Sequence, residues 1–257
     1  RYLIDFQVPC NPEAPVLFCF HGGFDISVYH DLAHAVAPHL HVVGVQYPLS
    51  APRPIAIDFS ALTELYLDEI LQLYPRAPYH FAGSSVAGYL AVEAARQLHC
   101  RKIPVGIVAL FDSYGPGLDK EIILHHHVPL FARIHHHWEK LKHTPGRRRQ
   151  YLVNKTRQLY HQLSDWLQYH LSGKIDMPPW AETFWNAFAG YTPLPYSGTV
   201  HLFRAQNSPS TKIEDTLGWK FYAKTIRVIR IPGIHGAIIT QPHVKHLARH
   251  LVRLIPS

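Results

Sequence analysis

The chain has 257 residues, 47% of them hydrophobic and 17% charged, with a formal net charge of +7 when its 21 histidines are counted neutral. That composition excludes disorder for most of the chain, because disorder needs low hydrophobicity and high net charge. Its longest apolar run, Val105 to Phe111, falls far short of the about 20 residues that cross a bilayer, so no membrane association is expected.

The N-terminal Arg1-Tyr2-Leu3-Ile4-Asp5 has no apolar h-region and no initiator Met. The expectation is a domain from a longer chain rather than a secretory leader. Val16 to Phe20 reads as a buried strand, closed by Gly22-Gly23. Tyr29 to Leu40 spaces Leu32, Ala33, Val36, Ala37 and Leu40 as a helix does. His41 to Val45 is a second strand, and Ser60 to Tyr74 a helix with Leu62, Leu65, Tyr66, Ile70 and Leu73 on one face and Ser60 as its cap. Tyr79 to Ala82 is a third strand, Val86 to Leu98 the helix behind it, and Val105 to Phe111 a fourth strand buried on both faces.

From Lys120 to about Ala189 the strand–helix rhythm stops, and the chain becomes rich in His, Arg and aromatic residues with helical patterning. Strands return at Thr199 to Ala205 and Ile226 to Ile231, and His243 to Ile255 closes as a helix. The whole, residues 1–257, reads as one domain: a mostly parallel, doubly wound α/β sheet with a helical lid inserted over residues 120–189. The three cysteines, Cys10, Cys19 and Cys100, are too few and odd in number for a disulfide framework. They fit a reducing, cytoplasmic setting.

The segment Phe81-Ala82-Gly83-Ser84-Ser85-Val86-Ala87-Gly88 stands where a strand meets a helix, the context of a nucleophile elbow. So tight a turn requires small residues two before and two after the nucleophile. Gly83 and Ala87 satisfy this for Ser85, whereas Val86 would crowd the turn for Ser84. The usual G-x-S-x-G carries Gly at the last position; Ala87 adds one methyl. A serine nucleophile also needs N–H donors for its oxyanion. The backbone N–H of Val86 is one candidate, and Gly23 or Phe24 in the His21-Gly22-Gly23-Phe24 loop is the other.

A base is expected late in the chain, and His235 in Pro232-Gly-Ile-His-Gly236 follows the last strand. His243, at the start of the final helix, is a weaker candidate. Asp112 follows the fourth strand, where an orienting acid can reach the imidazole. After Thr199 to Ala205 the next carboxylates are only Glu214 and Asp215. The order Ser85, Asp112, His235 is that of α/β-hydrolases. His125-His126-His127 and His135-His136-His137 are poor metal chelators, since neighbours on a helix point about 100° apart. No metal site is expected, and Arg147-Arg148-Arg149 alone does not make a nucleic-acid interface.

With those residues in view, the chain resembles the type I thioesterase domains that end nonribosomal peptide and polyketide synthases. The likeness is carried by Val16–Gly23, Pro78–Ala91, Ile107–Tyr114, Tyr196–Ala205, Leu217-Gly-Trp219 and Ile231–His235. It implies an α/β-hydrolase fold and an acyl or peptidyl thioester substrate, presented on the phosphopantetheine of a carrier protein domain, with no cofactor of the enzyme's own. It implies attack by Ser85, an acyl-enzyme, and release by water or by a nucleophile of the chain itself. Ala87 and Ser84 depart from the family's usual Gly and aromatic. A stand-alone editing thioesterase, a carrier-independent esterase and a non-catalytic binding module of the same fold are the alternatives. Trp138, Trp166, Trp180 and Trp185 are expected in the lid.

Overall fold

A computed structural model describes residues 1–48, 56–116, 118, 179–207 and 214–255. Among them are seven strands, β1 (Leu3–Asp5), β2 (Val16–Phe20), β3 (His41–Val45), β4 (Tyr79–Ser84), β5 (Val105–Phe111), β6 (Tyr196–Ala205) and β7 (Ala223–Ile231). Five α-helices accompany them: α1 (His30–Val36), α2 (Phe59–Leu73), α3 (Ala87–Cys100), α4 (Pro179–Ala189) and α5 (Val244–Leu254). The strands form one sheet in the order β1-β3-β2-β4-β5-β6-β7. All neighbours run parallel except β1 on β3.

The strand side chains alternate between two cores, as the period of two requires. Phe18 and Phe20 of β2 with Val108 and Leu110 of β5 join α2, α3 and α4 on one face. Leu17, Cys19, Ala109 and Phe111 face α1 and α5 on the other. From β2 the chain steps outward to β3 and then returns to β4, on the other side of β2. The winding therefore reverses between β2 and β4, and at such a switch point the loops beyond the strands' carboxyl ends diverge and leave a crevice.

Several element ends differ from the sequence expectation for identifiable reasons. Helix α1 stops at Val36 because Ala37 precedes Pro38 and takes an extended ψ of 146°. The cap of α2 is Asp58, whose carboxylate accepts the Ala61 N–H, rather than Ser60. The buried face of α2 runs through Phe59, Leu62, Thr63, Tyr66, Leu67 and Ile70, and Leu73 is exposed. Strand β1 is too short to show a pattern. Of the expected lid, α4 carries Trp180 and Trp185, whereas Trp138, Trp166, both histidine triplets and the Arg147–Arg149 run lie outside the described residues. Among the described residues no helix is long and apolar enough to cross a membrane.

Candidate active site

Ser85, which with Val86 links β4 to α3, lies in the left-handed region at φ +54°. A left-handed non-glycine residue costs roughly 1–2 kcal/mol, so the surrounding packing must hold it. Ser85 N–H donates to the Phe111 carbonyl at 3.0 Å, anchoring the turn to the end of β5. A Cβ on Gly83 would run into the backbone carbonyl of Ala87. The small residue two before the serine is thus a steric requirement of the turn.

The loop after β2 lies against this turn. A Cβ on Gly22 would come within 2.9 Å of the Ala87 backbone nitrogen. Gly23 is left-handed, at φ +74°, and a Cβ there would meet Trp185 Nε1 at 2.5 Å. Helix α4 therefore roofs the loop. His21 fixes the loop from below. It is fully buried, its Nε2 lies 2.7 Å from Tyr66 Oη, and its Nδ1 accepts the Gly23 N–H at 3.4 Å. Accepting at Nδ1 leaves the proton on Nε2, which donates to Tyr66. Burial pulls the His21 pKa down to about 3, so the ring is neutral at pH 7. Gly23 N–H is thereby engaged. Among the described residues no acceptor takes the N–H of Phe24 or of Val86.

Tyr29 ties the two strand ends together. Its buried hydroxyl donates to the Phe20 carbonyl at 2.9 Å and accepts the Ser84 N–H at 2.8 Å. Nothing in the sequence pattern singles out this role, because Tyr29 reads only as the start of a helix.

Asp112 also departs from the right-handed region, at φ +48°, and is completely buried. Its N–H donates to the Phe203 carbonyl at 2.8 Å, and its Oδ1 accepts the Ala205 N–H at 2.9 Å. These two bonds aim Oδ2 at His235 Nδ1, 2.9 Å away. A carboxylate only accepts, so Nδ1 carries the proton of this bond. The Tyr114 ring lies 5.3 Å from the imidazole, tilted by 33°. Gly233 and Gly236 bracket His235 at φ +118° and +73°, letting the short loop after β7 turn back over the sheet.

Ser85 and His235 line one cavity of about 630 Å³, together with Phe24, Ser27, Val28, His30, Asp31 and Ile239. His243 is not among its lining residues; it stands at the cap of α5 against Gly233. The rival carboxylates are engaged elsewhere. Asp215 pairs with buried Arg204 at 2.9 Å and with Arg230 at 2.6 Å, and Glu214 accepts from Thr216 and Gly218. The crevice thus gathers a serine held on left-handed backbone, an imidazole oriented by a buried carboxylate, and Phe24 of the loop after β2.

The thioesterase-domain family model matches residues 15–255. The chain belongs to that family. It is 31% identical over 127 residues to malpibaldin synthetase of Mortierella alpina, covering 49% of this chain and 2% of that protein. It is 39% identical over 105 residues to the N-(5-amino-5-carboxypentanoyl)-L-cysteinyl-D-valine synthase of Penicillium rubens, covering 40% of this chain and 3% of the synthase. This thioesterase domain thus spans only a few per cent of the synthases it matches. Among solved structures, the NocB thioesterase domain in covalent complex with a fluorophosphonate nocardicin G analogue superposes with a TM-score of 0.62 at 19% identity, with all of both chains covered. A four-domain nonribosomal peptide synthetase, holo-AB3403, gives 0.68 at 21% identity, over all of this chain and 20% of that one. The α/β-hydrolase fold is the one these neighbours share.

Proposed function

We propose that this thioesterase domain releases an acyl or peptidyl chain from the phosphopantetheine thioester of a carrier protein, using Ser85, His235 and Asp112 as a catalytic triad. The observation that carries the reading is the 2.9 Å contact of His235 Nδ1 with buried Asp112 Oδ2, in the cavity that Ser85 lines. His235 Nε2 takes the Ser85 proton as Oγ attacks the thioester carbonyl. The N–H groups of Val86 and Phe24 receive the negative charge on the carbonyl oxygen. Gly23, whose own N–H goes to His21, supplies the left-handed turn that presents Phe24. Collapse of the tetrahedral intermediate breaks the C–S bond, and His235 returns the proton to the departing thiol. Water, or a hydroxyl or amine of the acyl chain, then attacks the acyl-serine and gives an acid or a ring.

Of the expected lid over residues 120–189, the described part, α4, touches the loop after β2. The net charge of +7 suits an acidic carrier domain and the phosphate of its arm. The test is to incubate the domain with an acyl-loaded carrier protein and with a matched free ester. Mass spectrometry should record an acyl adduct on the enzyme and faster release from the carrier. Equal turnover of the two would remove the carrier from the proposal, and turnover with Ser85→Ala unimpaired would remove the triad.

A further inference from the structure

Helix α1 opens with His30-Asp31-Leu32-Ala33-His34. Residues four apart on a helix share a face, and two histidines at this spacing hold zinc in H-E-x-x-H helices. Here both imidazoles are exposed, while Leu32, Ala33 and Val36 face the core. Their Nε2 atoms lie 3.3 Å apart, with ring centroids at 4.5 Å and the planes tilted by 58°. Two nitrogens bound to one tetrahedral zinc, each at about 2.0–2.1 Å, are separated by about 3.3–3.4 Å. The separation matches the bite of a pair of ligands on one ion, and without an ion the same two nitrogens can share a hydrogen bond.

The pair is also held in place. Helix α1 packs on α5, and Asp31 Oδ2 accepts the Gln241 N–H at 2.9 Å, which fixes the helix against the loop that follows His235. His30 lines the cavity of Ser85 and His235. We propose that His30 and His34 form a two-imidazole site for a borderline divalent cation, Zn²⁺ or Cu²⁺, at the rim of that cavity. Among the described residues no group of three or more His, Cys, Asp or Glu side chains could hold a metal ion. Water would complete the coordination. The site stands independently of the triad reading.

The experiment is residue-resolved footprinting of the whole chain with diethyl pyrocarbonate, which acylates unligated imidazole nitrogen, with and without ZnCl₂. Peptide mass spectrometry reports each histidine separately, so zinc bound elsewhere on the chain does not enter. At a zinc concentration about four times the dissociation constant, the modification rates of His30 and His34 should fall about fivefold together. In His34→Gln, zinc should no longer protect His30, and in His30→Gln it should no longer protect His34. Both positions are exposed, and circular dichroism verifies that the variants fold. Unchanged rates at both residues in the wild type would overturn the site. Continued protection of His30 in His34→Gln would overturn the pairing.

Discussion

The carboxyl ends and the amino ends of the strands handle left-handed backbone in different ways. At the amino ends, Lys102 is left-handed at φ +58°, and a helix termination accounts for it. Its N–H goes to His99 O and that of Ile103 to Leu98 O, the double bond that closes a helix through a left-handed residue. Gln7, at φ +54°, lies beyond the antiparallel β1, where its N–H closes onto Asp5 Oδ1. Both residues are exposed. At the carboxyl ends, Ser85 and Asp112 are left-handed without a helix ending to explain them, and Asp112 is buried. Strain that a local turn requires differs from strain that packing imposes in order to aim a side chain.

Substitutions can break that comparison, and the largest effect is expected at Ser85. Ser85→Gly relieves the positive φ and should raise unfolding stability by roughly 0.5–1 kcal/mol, while removing the proposed nucleophile should lower turnover by at least about 10⁴-fold. Chemical denaturation beside a thioester assay reads both, and a stability gain with turnover intact would break the assignment. Asp112→Asn keeps an oxygen for the Ala205 N–H but no longer fixes the His235 tautomer. Turnover should drop about 10³–10⁴-fold with the fold intact, as kcat and far-ultraviolet dichroism would show.

A pH effect of intermediate size sharpens the same contrast, because each end of the sheet buries a histidine. Burial lowers His21, at the carboxyl end, to about 3 and His80, at the amino end, to about 4. The folded state keeps both neutral, and the unfolded chain takes up their protons near pH 6.5. Stability is therefore complete above about pH 6.5 and lost as pH falls toward 3–4, each histidine contributing on the order of 2 kcal/mol of loss by pH 5. Urea midpoints at pH 7 and pH 5 measure this, and equal midpoints would contradict it.

Tyr29→Phe strands the Phe20 carbonyl and the Ser84 N–H and should cost about 1–3 kcal/mol. It should also slow turnover, since both strand ends carry the site; a normal rate would show that the link is only structural. The smallest effect is expected at Lys102→Gly, which relieves an exposed helix end by about 0.5–1 kcal/mol and leaves the rate unchanged. A rate change there would erase the distinction between the two ends.

The same division governs what the sequence discloses. The central strands β2 to β5 are legible because continuous apolar runs bounded by turn residues have few other solutions. The places of Ser85, Asp112 and His235 beyond the ends of β4, β5 and β7 are legible because the pattern locates those strands. The 2.9 Å contact between Asp112 and His235 joins residues far apart in the chain, and only their places in the α/β order suggest it. Which of the Gly23 and Phe24 N–H groups is engaged is hidden, since it turns on which amide the His21 ring captures. Tyr29 is hidden too, because its hydroxyl replaces backbone pairing between strands distant in sequence. The face of α2 is misread at Leu65 and Leu73, where apolar residues border the buried stripe and periodicity alone fixes its centre to within one residue. The clamp of Tyr191 on buried Glu93, at 2.7 Å, joins the segment after α4 to α3 and has no local signature.

Covalent labelling with a fluorophosphonate, followed by peptide mapping, puts the least between the claim and its answer. The wild type should gain a single phosphonyl group on the peptide bearing Ser85, and Ser85→Ala should gain none. A folded wild type that stays unlabelled, or one modified at another residue, would contradict the convergence of the β4, β5 and β7 loops on one reactive hydroxyl.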